Sequence, residues 1–190
     1  MKIINILGII SLLLFLSCAK KEEKVEIIID DVIESQMLES YKKGLEALEE
    51  GDALYAAKHF NEAELLFPQS DWAPKSLLMA AYAFYSKDYF VDAIAELERF
   101  IKTYPQSNRL DYAYFLLATC YYEKIIDEKK DLKPLIKAKE TFQFIIQEYP
   151  ETDFALDSKF KLDLIDETLA GKEMYIGRYY IKKEKWIAAI

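Results

Sequence analysis

Small and apolar residues recur along this chain in four blocks separated by short polar runs. Pairs of small residues mark the blocks: Gly44/Ala56, Ala81/Ala93, Ala118/Ala138 and Gly177/Ala189, twelve residues apart except in the third, where the gap is twenty. Counted from a start seven residues before the first small residue, position 11 holds Ala47, Phe84, Tyr121 and Tyr180. Position 24 holds Phe60, Leu97 and, allowing for the longer gap, Phe142. Polar runs such as Glu49-Glu50-Gly51-Asp52 and Ser86-Lys87-Asp88 lie between the paired residues. A small residue lets a second helix axis approach closely, so one on each of two successive helices predicts an αα-hairpin. Pro68, Pro105 and Pro150 each follow the second small residue by twelve. Proline lacks the amide donor and clashes with the preceding turn, so each is expected to end a second helix. Ser70, Ser107 and Thr152 are expected to cap the helix that follows. The longest alternating run is Val25 to Ile29, so the pattern predicts an all-α chain.

Spacing, small-residue positions and closing proline together resemble the tetratricopeptide repeat, whose period is 34. The resemblance implies an all-α solenoid of αα-hairpins, about three and a half repeats, over residues 36–190. The repeats fall at about 37–70, 74–107, 111–152 and an incomplete 170–190. The eight extra residues of the third repeat place an insertion at 126–135, expected as an exposed loop. Between the third and fourth repeats no proline interrupts 153–182, so that stretch is expected to allow one long helix.

The N-terminus has a different character. Met1-Lys2 precedes an apolar run from Ile3 to Leu16, followed by Ser17-Cys18. One basic residue, an apolar stretch too short for a comfortable span and a small residue before cysteine predict a signal peptide over 1–17. Leu14-Phe15-Leu16-Ser17-Cys18 resembles a bacterial lipobox, with Phe15 in place of the usual aliphatic residue. Cys18 is then the expected lipidation site, and covalent acyl lipid is the only group expected on a chain otherwise without cofactors. Each buried methylene contributes ~0.8 kcal/mol, so several chains anchor durably where one does not. Ala19 follows Cys18, which by resemblance to lipoprotein sorting implies the outer membrane. Residues 18–35 are expected as lipidated terminus and tether, with Val25 to Ile29 either a strand-like arm or the start of the first helix.

Composition narrows the chemistry. The net charge is −8 in 190 residues, which argues against nucleic acid or an anionic bilayer surface as the main partner. Cys120, the second of two cysteines, is read as packing; His59, the one histidine, lacks the neighbouring ligands of a metal site. No phosphate-cradling glycine loop or Gly-x-Ser-x-Gly run is present, and the carboxylates lie among lysines as on a solvated face. No catalytic or metal-binding residue is therefore assigned, and the chain is read as a scaffold, not an enzyme.

The repeat resemblance implies where a scaffold of this kind binds. The first helix of each hairpin lines a concave face, which maps here onto Tyr41, Leu45 and Leu48, then Lys75, Leu78, Tyr82 and Tyr85, then Tyr112, Phe115 and Tyr122. Tyrosine combines apolar area with a hydroxyl and few rotors, as binding hot spots do. These side chains either hold an extended, aromatic-containing peptide or bury against the next repeat. Gly44, Ala56, Ala81, Ala93, Ala118, Ala138, Gly177 and Ala189 are the expected packing residues.

Several runs are more specific than the repeat: Ala93-Ile94 through Arg99-Phe100-Ile101, Tyr104-Pro105, Leu110-Asp111-Tyr112-Ala113-Tyr114, and Phe144 to Thr152 with Tyr149-Pro150. Further on come Leu169-Ala170, Glu173, Ile176-Gly177-Arg178-Tyr179-Tyr180 and Ala188-Ala189. With the lipobox they resemble the BamD family, lipoproteins of the outer-membrane β-barrel assembly machinery. Asn108-Arg109 and Leu117-Ala118 stand where that family often has His-Pro and Arg-Gly. The resemblance implies a lipid anchor on the periplasmic face of the outer membrane. It further implies binding to the barrel subunit BamA, to other assembly lipoproteins and to unfolded outer-membrane β-barrel proteins. Since family members finish a fourth repeat and add a fifth, a C-terminally truncated chain is expected. A Tol-Pal accessory repeat protein, sharing the Tyr-Pro-x-Ser endings, is the alternative.

Overall fold

In the computed structural model, residues 23–124 and 132–189 are described, with side chains from Asp31 onward. The signal peptide, Cys18 and most of the insertion lie outside the described residues. Among the described residues seven α-helices run in order: α1 (Glu23–Glu50), α2 (Ala53–Leu66), α3 (Trp72–Tyr85), α4 (Phe90–Thr103), α5 (Leu110–Glu123), α6 (Lys133–Glu148) and α7 (Asp153–Lys182). A short 3-10 helix, Trp186–Ala189, follows. Each helix packs on its neighbours in sequence, and α5 also reaches α7. The result is a tetratricopeptide-like stack of three hairpins, α1/α2, α3/α4 and α5/α6, onto which α7 adds half of another.

The prolines show why the helices stop and start where they do. Pro68, Pro105 and Pro150 each stand two residues beyond a helix end, after Leu66, Thr103 and Glu148. Pro74 and Pro134, the other two of the five, occupy first turns of α3 and α6, where the missing amide has no partner to lose. Thr152 caps α7 as expected, its side chain accepting from the Ala155 amide at 3.2 Å. Ser70 and Ser107 do not cap. The helices begin later, after Asp71 and Arg109, and Ser70 instead donates to the Phe67 carbonyl at 2.7 Å. In each, the serine closes the turn behind the proline and leaves the helix start to the residues after it.

Two further boundaries differ from those expected. The helix of the first hairpin begins at Glu23, so the tether stretch through Val25 to Ile29 is helical and no strand forms there. Residues 133–135, expected in the insertion loop, open α6, and Leu135 is fully buried. Apolar burial of Leu135 and the helix-starting geometry of Pro134 both favour that outcome. The stretch without a proline is one continuous helix, α7, as expected, and its first half, through Phe154, Ala155, Ser158 and Ile165, packs on the preceding hairpin. Its second half meets the 3-10 helix, where a Cβ on Gly177 would lie 3.5 Å from the Ala189 carbonyl oxygen.

The small residues sit where the axes come closest. Ala56, Ala81, Ala93, Ala118 and Ala138 are fully buried. Gly44 is buried too, but it faces the ring of Phe60 instead of its paired Ala56: a Cβ there would stand 2.8 Å from two ring carbons. Two apolar clusters result. One joins α1, α2 and α3 through Ala47, Ala57, Phe60, Ala80 and Ala83. The larger runs from α3 to α7 through Leu77, Leu97, Phe100, Phe142 and Ile145.

Candidate functional site

First helices of the hairpins carry most of the half-exposed aromatic side chains. At one end, Tyr41 of α1 meets Trp72 of α3 edge-on at 5.1 Å and leans on Phe60 at 5.2 Å. Lys75 lies one turn further along α3, its Nζ 4.8 Å from the Trp72 ring centroid. At the other end, Tyr82 and Tyr85 of α3 lie 6.4 Å apart. Both are near enough to Tyr112 of α5 to act on its hydroxyl. Burial first, and those two neighbours second, push the Tyr112 hydroxyl up to about 12, so it is a neutral donor at physiological pH. Tyr112 in turn meets Phe154 of α7 at 5.5 Å, and Phe115 lies between Phe154 at 5.2 Å and Phe142 at 5.9 Å.

The ten positions expected in the groove therefore divide. Tyr82 and Leu45 are exposed, as is Lys75, while Tyr41, Tyr85 and Tyr112 are half-buried with accessible edges. Leu78 is buried in the core, Leu48 packs on the first cluster, and Phe115 on the second. Tyr122 is half-buried beneath Lys161, whose Nζ is 4.9 Å from its ring centroid. No ring contact joins the Tyr41 end to the Tyr82 end among the described residues. Trp72 and Phe154 belong to the same aromatic surface but escaped the sequence mapping. Trp72 precedes the first position of its repeat, and Phe154 falls in the helical stretch between the third and fourth repeats; aromatic character at a helix start was the available signal.

A separate polar network joins the second helices. Glu64 of α2 is buried and accepts from Arg99 Nη1 of α4 at 2.6 Å and from the Tyr104 hydroxyl at 2.9 Å. Arg99 also donates to Glu96 Oε2 at 2.8 Å and to Asn61 Oδ1 at 2.8 Å, and Asn61 donates to Glu96 Oε1 at 2.9 Å. Burial would lower the guanidinium's affinity for its proton, but the bonds to Glu64 and Glu96 outweigh that and raise it. Such a fully bonded network fixes how two hairpins dock; nothing in it is aimed at a ligand.

His59 and Cys120 are structural. Nδ1 of His59 lies 3.0 Å from Glu62 Oε2 and 3.2 Å from Ser40 Oγ, pinning α1 to α2. The ring is buried with Tyr55 edge-on at 4.4 Å, and its Nε2 has no hydrogen-bond partner among the described residues. Ser40 is itself buried, so this trio holds helices together and presents no nucleophile. Cys120 is fully buried, and burial pushes its thiol up to about 12, leaving no reactive thiolate near neutral pH. Among the described residues there is no cluster of potential ligands for a metal ion.

Comparison with known proteins gives this surface a context. A family model described as an outer membrane lipoprotein, YfiO, matches residues 33–190. A Caulobacter vibrioides protein named outer membrane protein assembly factor BamD is 36% identical over 173 residues, covering 91% of this chain. The chain spans 56% of that relative's length. A Rickettsia prowazekii protein of the same name is 32% identical over 189 residues, covering 100% of this chain and 72% of the relative. In solved structures, the TPR domain of Arabidopsis OM64 superposes with a TM-score of 0.52 at 16% identity, over 69% of this chain and 97% of that one. The TPR2AB domain of yeast Sti1, in complex with pHSP90, gives 0.54 at 19% identity, over 82% of this chain and 60% of that one. At such identities the two structures establish the fold.

Proposed function

The chain belongs to the YfiO family of outer membrane lipoproteins, and from that premise we propose that it is a non-enzymatic scaffold in the assembly of outer-membrane β-barrel proteins. Acyl chains on Cys18 hold it at the periplasmic face of the outer membrane. Its first-helix face receives extended, aromatic-containing segments of unfolded barrel clients, while other surfaces of the stack dock the barrel subunit BamA and its companion lipoproteins.

The observation that carries this reading is the aromatic surface contributed by successive first helices. Tyr82, Tyr85 and Tyr112 come together across α3 and α5, and none needs its hydroxyl for internal packing bonds among the described residues. Exposed tyrosine offers a flat apolar face with a polar rim, which suits binding a chain without a fixed sequence. A client segment lying there would be held by area and by hydroxyl bonds to its backbone, and released without chemistry.

Two measurements test the proposal. Affinity purification of the chain from detergent-solubilised outer membranes is expected to bring down BamA; recovery of Tol proteins without it would overturn the reading. Changing Tyr82 and Tyr85 together to Ala is expected to abolish binding of an aromatic peptide while leaving helicity intact. Unimpaired binding by that variant would remove the groove from the mechanism.

A further inference from the structure

The last helix is apolar on two sides. Ala155, Ser158 and Ile165 of α7 are buried against the preceding hairpin. On the opposite side Leu156, Phe160, Leu164, Met174 and Ile181 remain between 48% and 63% exposed. At ~3.6 residues per turn these five fall within an arc of about 100°, so they form one stripe along the helix. The 3-10 helix approaches α7 at Gly177 and leaves the stripe open. A helix that is apolar on both faces is suited to cover on both, and an apolar stripe rimmed by charge marks an interaction surface.

The charges beside the stripe say what covers it. From Asp153 to Glu167, α7 carries five acids and two lysines; from Thr168 to Lys182 it carries three cations and one acid. Two copies of α7 laid antiparallel therefore set the acidic half of each against the basic half of the other. We propose that the α7 stripe pairs two copies of this chain, antiparallel, about a two-fold axis near Leu169. Leu164 and Met174 each stand five residues from Leu169, so Leu164 of one copy faces Met174 of the other. Phe160 and Arg178 each stand nine away, which lays a guanidinium on a ring. Asp157 and Lys182 stand twelve and thirteen away on the same flank, so each end of the contact closes with an ion pair. The contact is isologous, every residue pair occurring twice, and so it stops at two copies. Phe154, which meets Tyr112, belongs to the packed side of α7. The pairing therefore leaves the aromatic surface open and does not rest on its binding a client.

The test is sedimentation of the full chain in density-matched detergent, from about 1 µM to about 100 µM and at low salt, where charge pairing is least screened. The unaltered chain is expected to pass from monomer to dimer over that range. Leu164→Glu sets an acid in the middle of the stripe and is expected to give a monomer of unchanged helicity, since Leu164 is exposed in the single copy. Asp157→Lys and Lys182→Glu each turn both end pairs repulsive, and each is expected to weaken the dimer about tenfold. Mixing those two variants restores both pairs, so the mixture is expected to dimerise as the unaltered chain does. A monomer at every concentration overturns the self-pairing and leaves the stripe to a different partner. A dimer indifferent to Leu164→Glu overturns it as well. A mixture that associates no more tightly than its components overturns the antiparallel register.

Discussion

Arg99 donates through Nη1 to Oε2 of Glu64 at 2.6 Å, across 35 residues of sequence and from one hairpin's second helix to the next. Glu64 is the more buried partner, and Arg99 keeps about 39% of its side chain exposed. Removing the arginine therefore strands a carboxylate inside the stack, whereas removing the acid frees a cation that can reach water. Arg99→Ala is expected to cost about 2–4 kcal/mol, more than Glu64→Gln. In urea unfolding, the double variant Glu64→Ala/Arg99→Ala should lose less than the sum of the two single alanine changes. Strict additivity would mean that the pair does not couple the hairpins.

Two glycines inside helices should answer alanine in opposite senses. A methyl on Gly44 would meet the buried Phe60 ring at 2.8 Å, while one on Gly171 meets nothing within 4 Å. Gly171→Ala gains only helix propensity and is expected to stabilise by about 0.5–1 kcal/mol. Gly44→Ala gains the same but forces the ring aside, an overpacking cost of about 1–3 kcal/mol, so the melting temperature should fall. A rise in both would show that Phe60 has room to move.

Phe115 touches Phe142 and Phe154 and so bridges α5, α6 and α7. Phe115→Ala is expected to cost about 2 kcal/mol, below the range for a fully buried ring. Hydrogen exchange should accelerate first in the N-terminal half of α7. Uniform acceleration through α1 instead would count against α7 depending on this contact.

The stack should be sensitive to base. Burial raises the Tyr112 hydroxyl from 10.0 to about 12 and the Cys120 thiol from 9.0 to about 12; burial and then the bond to Glu64 raise Tyr104 as well. A group whose folded pKa is raised retains its proton while the unfolded chain gives its own up. Its contribution to stability is then intact below the unfolded value and is lost as pH climbs toward the folded one. Denaturant midpoints should hold up to about pH 9 and fall steadily toward pH 12. Cys120→Ala should delay the onset of that fall to about pH 10, and an onset unchanged by the substitution would contradict the assignment.

Much of this architecture was legible in advance because its signals are local. The closing prolines act on the turn that contains them, and each ended its helix at the same distance. The unbroken helix over 153–182 followed from the same reasoning in reverse. What could not be read were features set by partners distant in sequence. Glu64 looked like one more surface acid until Arg99 and Tyr104 arrived from the next hairpin. Gly44 was paired with Ala56 by spacing, yet its space is filled by Phe60, since a helix turns its bulky residue toward the nearest gap. The groove was mapped by repeat position, a scheme that misses Trp72 and Phe154 because both lie before their repeat's first mapped place. It also counted Leu78, whose burial depends on how tightly two neighbouring helices close.

Helices here pack on partners one or two places away in the chain, as α2 and α4 do through Glu64 and Arg99 and α5 and α7 through Phe115 and Phe154. A hairpin such as α3/α4 therefore depends on no strand or helix synthesised much later. As the polypeptide emerges N-terminus first, each hairpin can form on the surface of the previous one and wait exposed for only a few dozen residues. Order of synthesis and order of assembly coincide, and the interval during which apolar helix faces are open to aggregation is kept short.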